Sequence, residues 1–316
     1  MDANPALTPG QPVGAALRDI AAAMVAQAQA IVDDEAGDPT KTVHAIRRSF
    51  KHWRALLRLL APFVGDSGHE LRITARDLAR RLSGARDAQA MIDAFQDAIE
   101  GNDDQTTALS ARTIATIQGR LIALRSANEQ TIWNEAIRRE LSDCLISASE
   151  QITRWHLDNL TFSDLAKMLA KTYRNARRAI PDSWEGIDAE ELHELRRRVV
   201  EHRYQMELIE PAWPRLGRIW VDEAQRLRTR LGKYQDLAVL AENTGLHRPL
   251  AHWRAKLVPI IAQRQADHAR AARRMAARMF AESPKAFRRR IEALWEARSD
   301  AADEPAIESS AQCVTL

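Results

Sequence analysis

Apolar residues recur along this chain at three- and four-residue spacing almost from end to end, and nowhere alternate long enough to make a strand. Such spacing puts the apolar side chains on one helix face, so each segment needs helical neighbours to cover it. Aromatics make up only 5% of residues and glycines number 12, while alanine, leucine and arginine dominate, which favours helix over sheet. The expected fold is all-α, a pair of helical bundles. At 316 residues the chain can form one large domain or two fused halves.

Punctuation separates the helices. The first part is predicted helical near 12–33, 39–61, 67–83, 87–100, 105–126 and 129–159, with Pro39 opening the second helix and Pro62 stopping it. The second part is predicted helical over 163–180, 188–210, 212–231, 236–244 and 249–280, with a last helix from Pro284. Asp188 and Glu191 have the spacing of a capping box. Residues 301–316, with Asp303, Glu304 and Glu308, are expected to form a flexible acidic tail.

One helix pattern occurs twice. Val43-His44-Ala45-Ile46-Arg47 continues through Lys51 to Arg54, and Leu192-His193-Glu194-Leu195-Arg196 continues to Arg203, an offset of 193 − 44 = 149. Leu82 to Asp87 and Leu231 to Asp236 both read Leu-x-x-x-x-Asp, and 236 − 87 = 149 again. Two features in one register predict an internal duplication, and a duplicated polar pattern points to a site rather than to packing.

The first copy carries two parallel stripes. Val43, Ile46, Phe50, Trp53, Leu57 and Leu60 form an apolar face, while His44, Arg47, Lys51, Arg54 and Arg58 follow the same spacing one residue on. One residue is about 100° of rotation, so the cations border the core face instead of lying opposite it. Cations packed there lose hydration and repel one another. A bound polyanion offsets both costs, each charge-assisted hydrogen bond to phosphate contributing about 1.5–3 kcal/mol. Arg47 and Arg54 are separated by about 10 Å along the axis, which suits a linear chain of phosphates better than a compact monophosphate. In the second copy His193, Arg196 and Arg203 keep the line, but Val200 stands where Lys51 does, Glu201 follows it, and His202 replaces Trp53. Lys171, Tyr173, Arg174 and Arg178, on the preceding helix, are expected to supply part of the missing charge.

These residues resemble the CHAD family, named for histidines in an α-helical fold. Leu192 to Arg196, Arg203-Tyr204, the first His-x-x-Arg cluster, and the turns Gly84 to Asp87 and Gly232 to Asp236 carry the resemblance, across roughly residues 12–290. It implies a single domain over 12–300, with half one at 12–159 and half two at 160–300. The halves would form four-helix-type bundles related by a pseudo-twofold axis around a basic central channel that binds inorganic polyphosphate. Asp87 and Asp236 then read either as carboxylates supporting the basic strip or as helix N-caps after a turn.

Other classes fit less well. The net charge of +3 conceals local basic faces: five Lys or Arg and no acid lie between His44 and Leu60. Nucleic acid is the rival partner, since basic stripes bind any phosphate backbone and the chain has eight Trp. Trp53 nonetheless falls on the apolar face, and Trp133, Trp155 and Trp295 sit where core roles are expected. The cations around His44 and His193 disfavour a metal, and no cofactor is expected. No phosphate loop, nucleophile elbow or Glu-x-Glu-x-Lys barrel motif occurs, so binding without catalysis is the expectation, with a polyphosphate hydrolase the weaker alternative. Two cysteines, no signal pattern and no apolar run of membrane-span length predict a soluble cytoplasmic protein, and the family resemblance implies a location at polyphosphate granules. Nothing in the pattern specifies an oligomeric state.

Overall fold

The computed structural model describes residues 5–82, 84–100, 109–128 and 133–303, and the side chains of 84–88, 127–128 and 299–303 stand outside that description. The described residues form ten α-helices and no strand. They are α1 (Val13–Asp33), α2 (Pro39–Arg81), α3 (Gly84–Glu100), α4 (Ala111–Asn128) and α5 (Glu135–Thr153), followed by α6 (Phe162–Arg178), α7 (Ala189–Leu208), α8 (Pro214–Glu242), α9 (Arg254–Met279) and α10 (Pro284–Asp303). Short 3-10 turns at Glu210–Ala212 and Ala251–Trp253 precede α8 and α9. The last helix extends past the expected start of the tail, and 304–316 lie outside the described residues.

Local chemistry accounts for most helix ends. The Asp38 carboxylate accepts from Thr40 N and Lys41 N, and Pro39 follows at the first helical position, where its missing N–H costs nothing. Asn134 caps α5 by accepting from Ile137 N. The reciprocal capping box is at Thr161 and Asp164, at the head of α6. Asp188 caps α7 as expected, but it accepts from Glu190 N and no return bond comes from Glu191.

Two predicted breaks are absent. The helices predicted at 212–231 and 236–244 merge into the single helix α8, so Asp236 lies inside a helix and is no N-cap. Likewise α2 does not stop before Pro62. It breaks at Gly65 (φ 63°, ψ −149°), a conformation closed to residues with a Cβ. Beyond Gly65 the second arm of α2 folds back along the first, and Arg47 Nη1 donates to the Leu82 carbonyl at 2.6 Å. This helical hairpin brings residues on either side of the glycine face to face.

Packing produces two apolar cores. The larger draws on α1, α2, α5, α6, α7 and α10, with parts of α8 and α9. The smaller combines Phe95 of α3 and Ile117 and Leu121 of α4 with Leu237 and Leu240 of α8 and Leu257, Ile260 and Ile261 of α9. Each core therefore mixes helices from 12–159 with helices from 160–300, and the two sequence halves do not form separate bundles. α1 meets the length and hydropathy of a membrane span (mean hydropathy 1.2), contrary to the expectation that no such run exists. It packs on α2 and α5, with Leu17, Ala21, Met24 and Ala28 buried in the core.

A buried carboxylate ties the smaller core together. Asp97 of α3 accepts from Lys233 Nζ of α8 at 2.5 Å. From α9 it accepts Arg264 Nη2 at 2.9 Å and His268 Nε2 at 2.6 Å. Burial pushes its pKa up, but the hydrogen bonds from His268, Arg264 and Lys233 outweigh this and hold it below the usual 3.8.

Candidate functional site

The apolar stripe of α2 is buried as expected: Ile46, Phe50, Trp53, Leu57 and Leu60 are core residues. Consequently the neighbouring stripe is held at the rim of the core, where Arg47, Lys51, Arg54 and Arg58 are half-buried and His44 is exposed. α7 crosses this arm of α2 in antiparallel sense. His52 stacks on Tyr204 (centroids 4.8 Å apart), Gln205 Nε2 donates to the Ala55 carbonyl at 3.2 Å, and Arg58 pairs with Glu201. α8 runs antiparallel to α7 on its other side. His193 Nδ1 meets Gln235 Oε1 at 2.9 Å, and Arg196 lies across Gly232, its Nε 3.4 Å from where a Cβ would stand.

At the start of α2 these three helices enclose a cleft of about 240 Å³. α2 contributes His44, Arg47, Arg48 and Lys51, α7 contributes Arg203 and Tyr204, and α8 contributes Gln225 and Arg228. No carboxylate lines it. Glu207 lies behind the wall: it pairs with Arg203, whose guanidinium sits 4.9 Å above the Tyr204 ring, and stands 4.0 Å from His52 Nε2. Burial, then repulsion from Arg203 and Arg48, lowers the His52 pKa to about 4, so this ring is neutral at pH 7.

A second group of cations gathers where the α2 hairpin closes. Burial, then repulsion by Arg58, Arg72, Arg76 and Arg80, lowers the Arg54 pKa. Its Nε is buried with no hydrogen-bond partner among the described residues, and so is Nε of Arg203. Asp77 answers part of this charge, accepting from Arg76 Nε at 2.8 Å and lying 3.7 Å from Arg80. Within this cluster, Glu201 pairs with Arg58 and lies 3.8 Å from Arg198.

Some expected residues do not join this strip. Tyr173 is fully buried, stacked on Phe287 at 4.2 Å and donating to the Glu282 carbonyl at 3.1 Å. Burial pushes its pKa up to about 12. It is a core residue, because its position on α6 falls on the apolar face. Lys171 and Arg178 are exposed on α6, and Arg174 lines a separate groove against α10. Arg58 keeps its place beside the core, but its charge is already matched by Glu201. Asp236 is half-buried inside α8, while the Asp87 side chain lies outside the described residues.

Other cations belong to the site without having been singled out. Arg48 lies in the acid-free stretch after His44, and Arg72, Arg76 and Arg80 repeat at four-residue spacing, so a second basic stripe was present in the sequence. Placing a helix end at Pro62 hid its relation to Arg54. Gln225 and Arg228 carry no local signal, since only the α7–α8 pairing brings them to the cleft.

Fold and site together define an all-helical domain with a cation-lined cleft between three of its helices. The family described as "CHAD domain" matches residues 15–245, well over half of the chain, and the protein belongs to that family. Its match ends before α9, short of the residue 290 expected from the motifs. Among solved structures, the crystal structure of the CHAD domain from the plant Ricinus communis aligns with a TM-score of 0.58 at 19% identity, covering 86% of this chain and 93% of that one. Identity that low makes this a likeness of fold. No curated protein matches the chain.

Proposed function

We propose that this protein binds inorganic polyphosphate along the strip from the α2–α7–α8 cleft to the Arg54 cluster, and that it does so without turnover. The observation that carries the proposal is Arg54: a half-buried residue whose Nε is buried with no partner among the described residues, surrounded by four further arginines. A buried, unanswered N–H costs about 1–3 kcal/mol, and more when the group is charged. A chain of phosphates would answer Arg54 and Arg203 together and relieve the repulsion among their neighbours.

Two details favour polyphosphate over nucleic acid. The cleft is small, about 240 Å³, and its aromatic residue, Tyr204, is 7% exposed and already stacked on His52, so it offers no face to a base. A phosphate chain needs neither width nor stacking. The internal repeat also finds support in the helix register. Adding 149 to the ends of α1 gives 162–182, against Phe162–Arg178 for α6; adding it to those of α5 gives 284–302, against Pro284–Asp303 for α10. The cross-contacts obey the same offset: 58 + 149 = 207 and 52 + 149 = 201, so Arg58–Glu201 and Glu207–His52 are one pair of positions taken twice. We read the strip as a channel built from both repeats, with Glu201 standing where His52 does.

A competition gel shift or calorimetric titration between long-chain polyphosphate and DNA of comparable charge tests this. Polyphosphate should win, with affinity falling steeply as salt rises, and reversal of Arg47, Arg54, Arg196 and Arg203 to Glu should abolish binding. Equal affinity for both polymers would leave only a generic basic surface, and steady release of orthophosphate would make the protein an enzyme. In cells the same reading places a fluorescent fusion on polyphosphate granules.

A further inference from the structure

The solvent face of α6 carries Lys167, Lys171, Arg174 and Arg178 at successive spacings of four, three and four residues, an unbroken cationic stripe. Several arginines on α7, α8 and α9 have a local acid. Arg197 and Arg198 pair with Glu194, Arg226 with Glu223, and Arg270 with Asp267. On α6 only Lys167 is answered this way, by Asp164 at 2.8 Å. Lys171, Arg174 and Arg178 make no ion pair among the described residues, although like charges four residues apart destabilise a helix by a few tenths of a kcal/mol, about 0.2–0.5 per pair.

α10 packs along α6 and brings two more cations to the stripe. A groove of about 420 Å³ between the helices is lined by Lys167 and Arg174 on one side and Lys285 and Arg288 on the other, with Ser283 at its end and no carboxylate in its wall. Arg288 is held in place by Glu292, 3.0 Å from its Nε, and by the Ser163 hydroxyl at 3.3 Å. Lys285 makes no ion pair among the described residues. No residue lines both this groove and the cleft of α2, α7 and α8.

We propose that the α6–α10 groove is a second site for a phosphate chain, separate from the first, so that one molecule holds two stretches of polyphosphate and can join chains together. The identity of the ligand rests on the proposed function; the existence of a second site rests on the groove. Two linked sites raise avidity and allow cross-linking without any change in either site alone.

The test compares the wild type with a groove variant (Arg174→Glu with Lys285→Glu) and a cleft variant (Arg47→Glu with Arg228→Glu), all confirmed as folded by circular dichroism. Equilibrium dialysis counts sodium tripolyphosphate bound per chain, and light scattering follows cross-linking of long-chain polyphosphate. The groove variant should bind one tripolyphosphate fewer than the wild type and lose the scattering signal, while the cleft variant keeps the groove's tripolyphosphate. A groove variant with wild-type count and scattering overturns the second site and leaves the cleft reading intact. Binding lost in the groove variant alone, with the cleft variant unaffected, would instead refute the cleft reading. If the groove variant loses only duplex DNA, the groove is a nucleic-acid surface and the inference fails.

Discussion

Arg58 and Glu201 illustrate how single residues tune the strip. Arg58 extends the basic line of α2, yet it meets a carboxylate that is 6% exposed and that also attracts Arg198. Glu201 thus occupies a place in the strip where a phosphate would otherwise meet both cations. Glu201→Gln should lower stability by about 2 kcal/mol. That figure exceeds the roughly 0.2–1 of an exposed pair and falls short of the roughly 3–5 for breaking a fully buried one, because the Arg58 side chain is 38% exposed. The same substitution should tighten polyphosphate binding and steepen its salt dependence. Urea melts and titrations on one sample would read the two effects, whose signs are opposite; a loss of both stability and affinity would mean that Glu201 only supports the fold.

Among the elements, the α2 hairpin decides most about the site. Its first arm carries the stripe that borders the core, and its second arm returns Arg72, Arg76 and Arg80 to Arg54. Gly65 makes the return possible. A Cβ there would meet nothing within 4 Å, so the cost of Gly65→Ala is backbone strain alone, about 1–3 kcal/mol. We expect a lower melting temperature together with weaker polyphosphate binding, as the second arm swings away from Arg54. An unchanged melting temperature in calorimetry would argue against the hairpin turn. Pro62 misled the prediction of a helix end because it falls in the last turn of the first arm, three residues before the break. A proline announces that a helix is ending nearby, whereas a positive φ at one glycine depends on the packing of both arms.

For the molecule as a whole, two buried histidines govern the response to acid. His52, in the α2–α7 crossing, has its pKa lowered to about 4 by burial, then by Arg203 and Arg48. His202 is 1% exposed, accepts from Trp220 Nε1 at 3.1 Å, and falls to about 3 through burial and then Arg290. Both bind a proton near pH 6.5 when unfolded but stay neutral in the folded chain, so stability is full above that pH and falls as the solution is acidified towards pH 4. Each proton contributes a slope of about 1.4 kcal/mol per pH unit below 6.5. Urea melts between pH 7 and 5 should show a loss approaching twice that slope, and His202→Phe should halve it. Constant stability over this range would contradict the burial of both rings.

By itself the sequence determined the helical class, most helix spans, the buried stripe of α2 and the cations beside it, because three-four periodicity and capping act over a few residues. It also carried the family resemblance, through His44 to Arg47 and Leu192 to Arg196. Only the tertiary structure decided that α2 is a hairpin and α8 a single helix, and that each core mixes the two sequence halves. It also decided that Tyr173 is core and that Arg174 faces α10. Arg48, Gln225 and Arg228 reach the cleft, and Glu201 reaches Arg58, through helix pairings that join residues up to 228 − 44 = 184 positions apart. No local pattern records such distances. They follow from which apolar faces bury against one another, and the charged side chains at the edges of those faces are carried along.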